Sequence, residues 1–310
     1  MLKISQNIQV CHELSDVVDQ VTRIPLELGQ HRLTIAIAAV CILTGGGLVP
    51  VIIYLVLTKA AGLQLWIVFT ILAAVVGTVS ASMMLRRTWR LLRSDSTCRP
   101  YNTAGNDHDT MSLDYFQWNF FTGFCYIAAL MIAAVRTSLS QDDNNNNNTS
   151  TRLMSLPLSL LVLQVSSQLL CAAVMVRIEA KYPFRVSSME RTAMVRPGVY
   201  TIIEDVVAVD GGQGQQYRRL LDARYRSSKA IRLLKAHLDL AWGVSGIAVA
   251  AALIALITTL PSAKMVFIVA GWLVPWGWTT VLVGTTRWMW RLALMREKDE
   301  LFAGERRAVD

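Results

Sequence analysis

The segment LDLAWGVSGIAVAAALIALITTL, residues 238–260, decides the class of the protein. After Asp239, near its start, it carries no charged residue. It is longer than the roughly 20 mostly apolar residues that a helix needs to cross a bilayer. A backbone surrounded by hydrocarbon must satisfy its own hydrogen bonds, so this segment predicts a membrane-spanning helix.

The rest of the chain repeats this pattern. The sequence is 53% apolar and only 17% charged, whereas a soluble domain usually carries about 25% charged residues. Its apolar residues gather in long runs, so we predict an all-α membrane protein with about six transmembrane helices. The predicted spans are 33–57, 63–85, 116–135, 153–176, 238–260 and 265–286.

Lysine and arginine lie mainly on one side of these spans. Segments 86–115, 178–236 and 287–310 carry five, eleven and six of them, whereas the three opposite turns carry four in total. The positive-inside rule therefore places the basic segments in the cytosol. The predicted order is a cytoplasmic tail at 1–32, a helical hairpin at 33–85, a basic cytoplasmic loop at 86–115, a second hairpin at 116–176, a cytoplasmic segment at 177–237, a third hairpin at 238–286 and a cytoplasmic tail at 287–310.

The turn of the second hairpin contains a run of asparagines. Asn147 and Asn148 both match the N-x-Ser/Thr acceptor pattern for glycosylation, and the predicted topology places them in the lumen or outside the cell. The alternative is a polar low-complexity linker in which the match arises by chance.

The stretch RPGVYTIIEDVVAVDGG, residues 196–212, contains three candidate catalytic acids, Glu204, Asp205 and Asp210. Its β-branched residues predict a short strand, so we expect a small cytoplasmic α+β or irregular segment. Carboxylates of this kind can hold Mg²⁺ against a substrate phosphate. However, adjacent residues of a strand point to opposite sides, so at most one of the first two acids would join Asp210. Pairing of Glu204 or Asp205 with arginine, with Asp210 capping a turn, is the favoured alternative.

Residues 219–242 predict one amphipathic helix that runs into the fifth span. Apolar and aromatic positions recur along it at three- and four-residue steps, and basic residues cover much of the remaining surface. Such a helix is attracted to an anionic membrane leaflet. The basic residues predicted at the membrane surface are Arg218, Arg219, Arg226, Lys229, Arg232 and Lys235.

Other kinds of site find little support in the sequence. There is no phosphate-binding GxxxxGK[ST] loop, no GxGxxG fingerprint and no zinc-ligand spacing, so we predict no cofactor and no metal. The basic residues flank hydrophobic spans, so nucleic acid is not an expected partner either. Gln164 and Gln168 in the fourth span predict hydrogen bonds between helices, or alternatively a polar lining for a substrate path.

The motifs YPFRVSS (182–188), RPGVYTIIEDVVAVDGG (196–212) and YRRLLDARYRSS (217–228) resemble the cytoplasmic block of uncharacterised multi-pass membrane proteins of filamentous fungi. The resemblance covers roughly 182–243. It implies location and topology and supplies no catalytic residue.

Three functions follow as hypotheses. The leading one is a non-enzymatic integral membrane protein, in the plasma membrane or an endomembrane, whose cytoplasmic segment binds anionic lipid headgroups or a protein partner. The second is a membrane-embedded enzyme for an isoprenoid-, polyketide- or lipid-like substrate, as in fungal secondary metabolism. The third is a channel or facilitator that uses the glycine- and proline-interrupted first and sixth spans.

Overall fold

The structure, a computed structural model, describes residues 47–93, 96–100, 113–140 and 144–309. These residues are mostly helical and form no β-strand. Two isolated antiparallel bridges, Lys181 with Met194 and Val186 with Met189, are the β-type pairings in this part of the chain. The predicted strand is therefore wrong, and of the α+β and irregular alternatives for the cytoplasmic segment, α+β is not confirmed.

Eight helices are described, numbered here in chain order. They are α1 (Val49–Ala60), α2 (Leu65–Leu92), α3 (Tyr115–Leu139), α4 (Asn144–Arg177), α5 (Gly198–Val209), α6 (Gly214–Ser227), α7 (Lys229–Thr259) and α8, which is continuous through Ala263–Met265, Val266–Leu273 and Val274–Val309.

Five of these helices, α2, α3, α4, α7 and α8, are long and apolar enough to cross a membrane. Helix α1 is apolar but shorter, and the predicted first span begins outside the described residues. Six spans are therefore not confirmed. Five long apolar helices fit an integral membrane protein.

Local sequence explains where helix α7 begins and ends. Ser228 is extended and its hydroxyl accepts a hydrogen bond from the Ile231 N–H, which caps the first turn. Leu260 precedes Pro261 and is pushed to an extended conformation that ends the helix. The predicted single helix over 219–242 is therefore two helices, α6 and α7, broken at Ser228.

Aromatic and small residues hold the bundle together. Tyr54, Phe69 and Phe267 lie fully or almost fully buried in one cluster, with 4.4 Å between the ring centroids of Tyr54 and Phe267. Where α4 crosses α7, Gly246 brings the backbones close, because a Cβ at this position would overlap the Ser166 hydroxyl. Close approach through glycine is the usual way for membrane helices to gain packing contacts.

Helices α5 and α6 pack at one end of the bundle, next to the end of α2 and the starts of α3 and α7. We call this the charged end. At the opposite end, Arg152 of α4 donates hydrogen bonds to the Ile257 and Leu260 carbonyls. Carbonyls at the C-terminal end of a helix have no N–H partner within the helix, so Arg152 caps the end of α7. The charged end carries the candidate site.

Candidate functional site

Helix α5 contains two of the three candidate acids, Glu204 and Asp205, and the third, Asp210, is its C-cap. Tyr200, Glu204 and Ala208 recur at the helical spacing of four and are buried together. Burial of this face against α3, α6 and α7 outweighs the β-propensity of its Val and Ile residues. Because neighbouring positions lie only about 100° apart on a helix, Glu204 and Asp205 reach the same partner, contrary to the strand-based argument.

A buried aspartate from another helix fixes the start of α5. Asp239 of α7 accepts hydrogen bonds from the Gly198 N–H (2.6 Å) and the Val199 N–H (2.7 Å). These are two of the N–H groups that a helix leaves without partners in its first turn. Asp239 therefore caps a helix to which it does not belong and joins α5 to α7.

Two buried arginines bind the acids. The Arg218 guanidinium lies 3.1 Å from a Glu204 oxygen and 2.7 Å from an Asp205 oxygen, and Arg87 lies 2.5 Å from Asp114. Arg87 also forms an ion pair with Asp210 and donates a hydrogen bond to the Asp205 carbonyl. We call the six residues the carboxylate–arginine cluster: Arg87, Asp114, Glu204, Asp205, Asp210 and Arg218. The cluster links α2, the start of α3, α5 and α6.

This cluster contains more acids than bases, four carboxyl groups against two guanidinium groups. Burial, followed by the charge of Asp205, raises the pKa of Glu204 to about 7 and that of Asp114 to about 6. Burial also raises the pKa of Asp210. The cluster can therefore take up protons near neutral pH.

The segment between α4 and α5 folds into a compact hairpin, residues 180–196. Its tip is held by Ser187, which has a positive φ of 48°. The Ser187 hydroxyl donates a hydrogen bond to Asp205 (2.6 Å) and accepts one from the Tyr115 N–H. A non-glycine residue in this conformation costs about 1 kcal/mol or more, and the cluster contacts offset that cost. The cluster therefore also positions the hairpin.

A cleft of about 550 Å³ lies between this hairpin and the junction of α6 and α7. We call it the arginine cleft, because Arg196, Arg226 and Arg232 line it together with Ser188, Glu190, Met194 and Tyr225. The three candidate acids, Glu204, Asp205 and Asp210, are not among its lining residues.

The cleft arginines are held in place by the protein. Arg196 forms an ion pair with Asp222, and its guanidinium lies 4.7 Å from the Tyr200 ring centroid and 5.0 Å from that of Tyr225. Arg232 donates hydrogen bonds to the last carbonyls of α6, those of Tyr225 and Arg226. Their positions are set before any ligand arrives.

Two polar atoms of the charged side chains that line the cleft have no hydrogen-bond partner in the described part of the protein. They are Nη1 of Arg196, a donor, and Oε1 of Glu190, an acceptor, and both are buried. A buried polar atom left without a partner costs about 1–3 kcal/mol. Both atoms would be satisfied by a ligand that offers one acceptor and one donor.

Two residues predicted at the membrane surface lie elsewhere. Arg218 is fully buried in the carboxylate–arginine cluster, because its charge is matched there by Glu204 and Asp205. Lys235 is also fully buried, with its ammonium 4.4 Å from the Tyr200 ring centroid. The other four, Arg219, Arg226, Lys229 and Arg232, keep full or partial exposure.

The remaining predicted positions lie in the membrane helices. The Gln164 side-chain amide donates a hydrogen bond to the Asn119 carbonyl at 3.2 Å, and the Gln168 amide donates to the Asn119 side chain. Both glutamines therefore join α4 to α3. Asn147 and Asn148 lie in the first turns of α4.

Sequence reasoning missed several residues of the site. Arg87 lies in the basic loop predicted at 86–115, and no sequence pattern pairs it with an acid. Asp114 gave one usable signal, an acid just before a predicted apolar helix, which is where caps occur. Asp239 lies within α7 and gave no such signal. Glu190 and Arg196 carried no sequence signal.

The family model of a domain of unknown function, DUF8766, matches residues 12–301 of the chain. The chain belongs to this family. The DUF8766 match takes in both the carboxylate–arginine cluster and the arginine cleft. It confirms membership of an uncharacterised family, as the resemblance implied, while a fungal source stays a prediction. Comparison with curated proteins and with solved structures finds no match.

Proposed function

We propose that this protein is a non-enzymatic integral membrane protein that binds the phosphoryl group of a lipid headgroup in the arginine cleft. One observation carries the proposal. Three arginines line a cleft of ligand size, and the buried Nη1 of one of them, Arg196, has no acceptor among the described residues. Guanidinium groups match phosphate oxygens in both charge and geometry.

The position of the cleft along α7 favours a lipid as the source of the phosphate. Arg232 precedes Leu238, where the apolar part of α7 begins, by six residues, or about 9 Å of helix. The headgroup layer of one leaflet is about 5–8 Å thick. Arg232 would therefore lie at the outer edge of the headgroup layer, where its side chain can reach lipid headgroups.

Exposed apolar residues of the same segment support membrane contact. The side chains of Ile178, Phe184 and Met194 are at least half exposed, and Met194 also lines the cleft. Apolar side chains next to a basic surface are typical of segments that lie in the membrane interface. With these side chains in the interface of the cytoplasmic leaflet, the charged end would face the cytosol, as the positive-inside rule predicts.

The enzyme hypothesis loses support from the site geometry. It needs Glu204, Asp205 or Asp210 in an open pocket, whereas these acids are engaged by Arg218 and Arg87 and lie outside the cleft lining. The facilitator hypothesis needs Gln164 and Gln168 along a polar path, whereas both bond to Asn119. Neither hypothesis is favoured by a specific contact.

Binding of short-chain lipids to the purified full-length protein tests the proposal. We expect dihexanoyl phosphatidic acid to bind and dihexanoylglycerol, which lacks the phosphate, not to bind. The double variant Arg196→Gln/Arg232→Gln should weaken binding at least about 10-fold, since a charged hydrogen bond is worth about 1.5–3 kcal/mol. Arg191→Gln is the matched control, because Arg191 is exposed on the same hairpin and does not line the cleft.

Inorganic phosphate distinguishes the source of the anion. Binding of phosphate as tight as that of the lipid would assign the cleft to a soluble anion. Equal binding of dihexanoylglycerol and the phosphatidic acid, or an equal loss in Arg191→Gln, would refute the proposal.

A further inference from the structure

We infer that Glu190 selects headgroups that carry a primary amine, so that the ligand class of the cleft is an aminophospholipid; this inference rests on the function proposed above. Glu190 is the one acid among the side chains lining the arginine cleft. An acid in a site built for phosphate weakens phosphate binding. Its presence therefore needs a partner of opposite charge.

The neighbouring arginines already have protein acceptors. Asp222 pairs with both Arg196 and Arg226, and Arg232 bonds to the carbonyls that end α6. Oε1 of Glu190 meanwhile has no donor in the described part of the chain. Glu190 is also held near the cleft by its backbone, because its carbonyl accepts a hydrogen bond from the Ala193 N–H within the hairpin.

The two unpartnered atoms are complementary to an aminophospholipid. Nη1 of Arg196 is a donor that a phosphate oxygen satisfies, and Oε1 of Glu190 is an acceptor that an ammonium N–H satisfies. In ethanolamine and serine headgroups, two carbons separate the amine from the phosphate ester oxygen, so one molecule can present both groups to one cleft. Choline carries the same charge but has no N–H to donate, and phosphatidic acid has no amine.

The test compares dihexanoyl phosphatidylethanolamine, phosphatidylserine, phosphatidylcholine and phosphatidic acid on the full-length protein in nonionic detergent. For the unmodified protein we expect the ethanolamine or serine lipid to bind about 10-fold more tightly than the choline lipid. Glu190→Ala should reduce this ratio to near one while phosphatidic acid still binds. Glu190→Gln, which keeps the shape of the side chain, should reduce the ratio without loss of folding.

Each outcome separates this inference from the proposed function. If all four lipids bind equally, or if the preference for amines survives Glu190→Ala and Glu190→Gln, the role of Glu190 is refuted and phosphate binding stands. If none of the four binds, both proposals fail. A preference that is lost in the Glu190 variants and kept in Arg191→Gln supports the inference.

Discussion

Removal of the Asp239 carboxylate should release the start of helix α5. Asp239 is fully buried and accepts hydrogen bonds from the Gly198 and Val199 N–H groups at 2.6 and 2.7 Å. A hydrogen bond is worth about 0.5–1.5 kcal/mol between neutral groups and about 1.5–3 kcal/mol to a charged group, so the pair contributes about 1–6 kcal/mol. Relief of the cost of burying a carboxylate offsets part of this loss. We expect Asp239→Ala to cost a net 2–4 kcal/mol, to order of magnitude.

Amide hydrogen exchange followed by mass spectrometry measures this release directly. A loss of about 2–4 kcal/mol in local stability should speed exchange in peptides covering 198–209 by roughly 30- to 700-fold. Peptides from the buried middle of α7 should exchange as before. Glu179→Gln is the control, because it removes an exposed carboxylate at the same end of the bundle. Unchanged protection of α5 in Asp239→Ala, or an equal effect in the control, would refute the capping role.

Three further predictions concern the cluster, the bundle and the topology. The folded protein binds protons more tightly than the unfolded chain, because the pKa values of Glu204 and Asp114 are raised to about 7 and about 6. The free energy of unfolding should therefore fall as pH rises from about 4.5 to about 7. We expect the protein to have a higher Tm at pH 5.5 than at pH 7.5, and this difference should be smaller in Glu204→Gln. A Tm that rises between pH 5.5 and pH 7.5 would contradict the prediction. Gly246→Ala should lower the free energy of unfolding by about 1–3 kcal/mol, because the new Cβ pushes α4 away from α7. Gly277→Ala is the control, because its new Cβ meets nothing within 4 Å and should leave the Tm nearly unchanged. Equal Tm values for the two variants would contradict this prediction. Glycosidase treatment of protein expressed in eukaryotic cells should shift its mobility on a gel, and Asn147→Gln/Asn148→Gln should abolish the shift, while an unshifted band leaves the luminal assignment of this turn without support.

The positions of the long helices follow from hydropathy alone, but their ends do not. The span predicted at 63–85 corresponds to α2, which continues to Leu92. The extra turns carry Arg87 and Arg90, and a hydropathy pattern ends a span where such residues begin. In the structure these turns continue as helix because Arg87 is matched by Asp114 and Asp210.

The site was less accessible to sequence reasoning. Gly198 and Asp239 are 41 residues apart in the chain, and Arg87 and Asp205 are 118 apart. Pairs so distant cannot be assigned from one sequence, because many arginines and acids are equally available. The prediction of a short strand within 196–212 was wrong for a related reason. Its β-branched residues favour a strand locally, whereas the tertiary contacts of Tyr200, Glu204 and Ala208 select a helix.

Photo-crosslinking in the membrane tests the central claim, lipid-phosphate binding in the arginine cleft, most directly. A phospholipid with a diazirine in its headgroup would be incorporated into nanodiscs with the full-length protein, and crosslinked peptides would be mapped by mass spectrometry. We predict crosslinks concentrated in 188–196 and 225–232, reduced at least about 10-fold in Arg196→Gln/Arg232→Gln and unchanged in Arg191→Gln. Crosslinks spread evenly over all basic helix ends, including 85–93, and insensitive to the double variant would contradict the account.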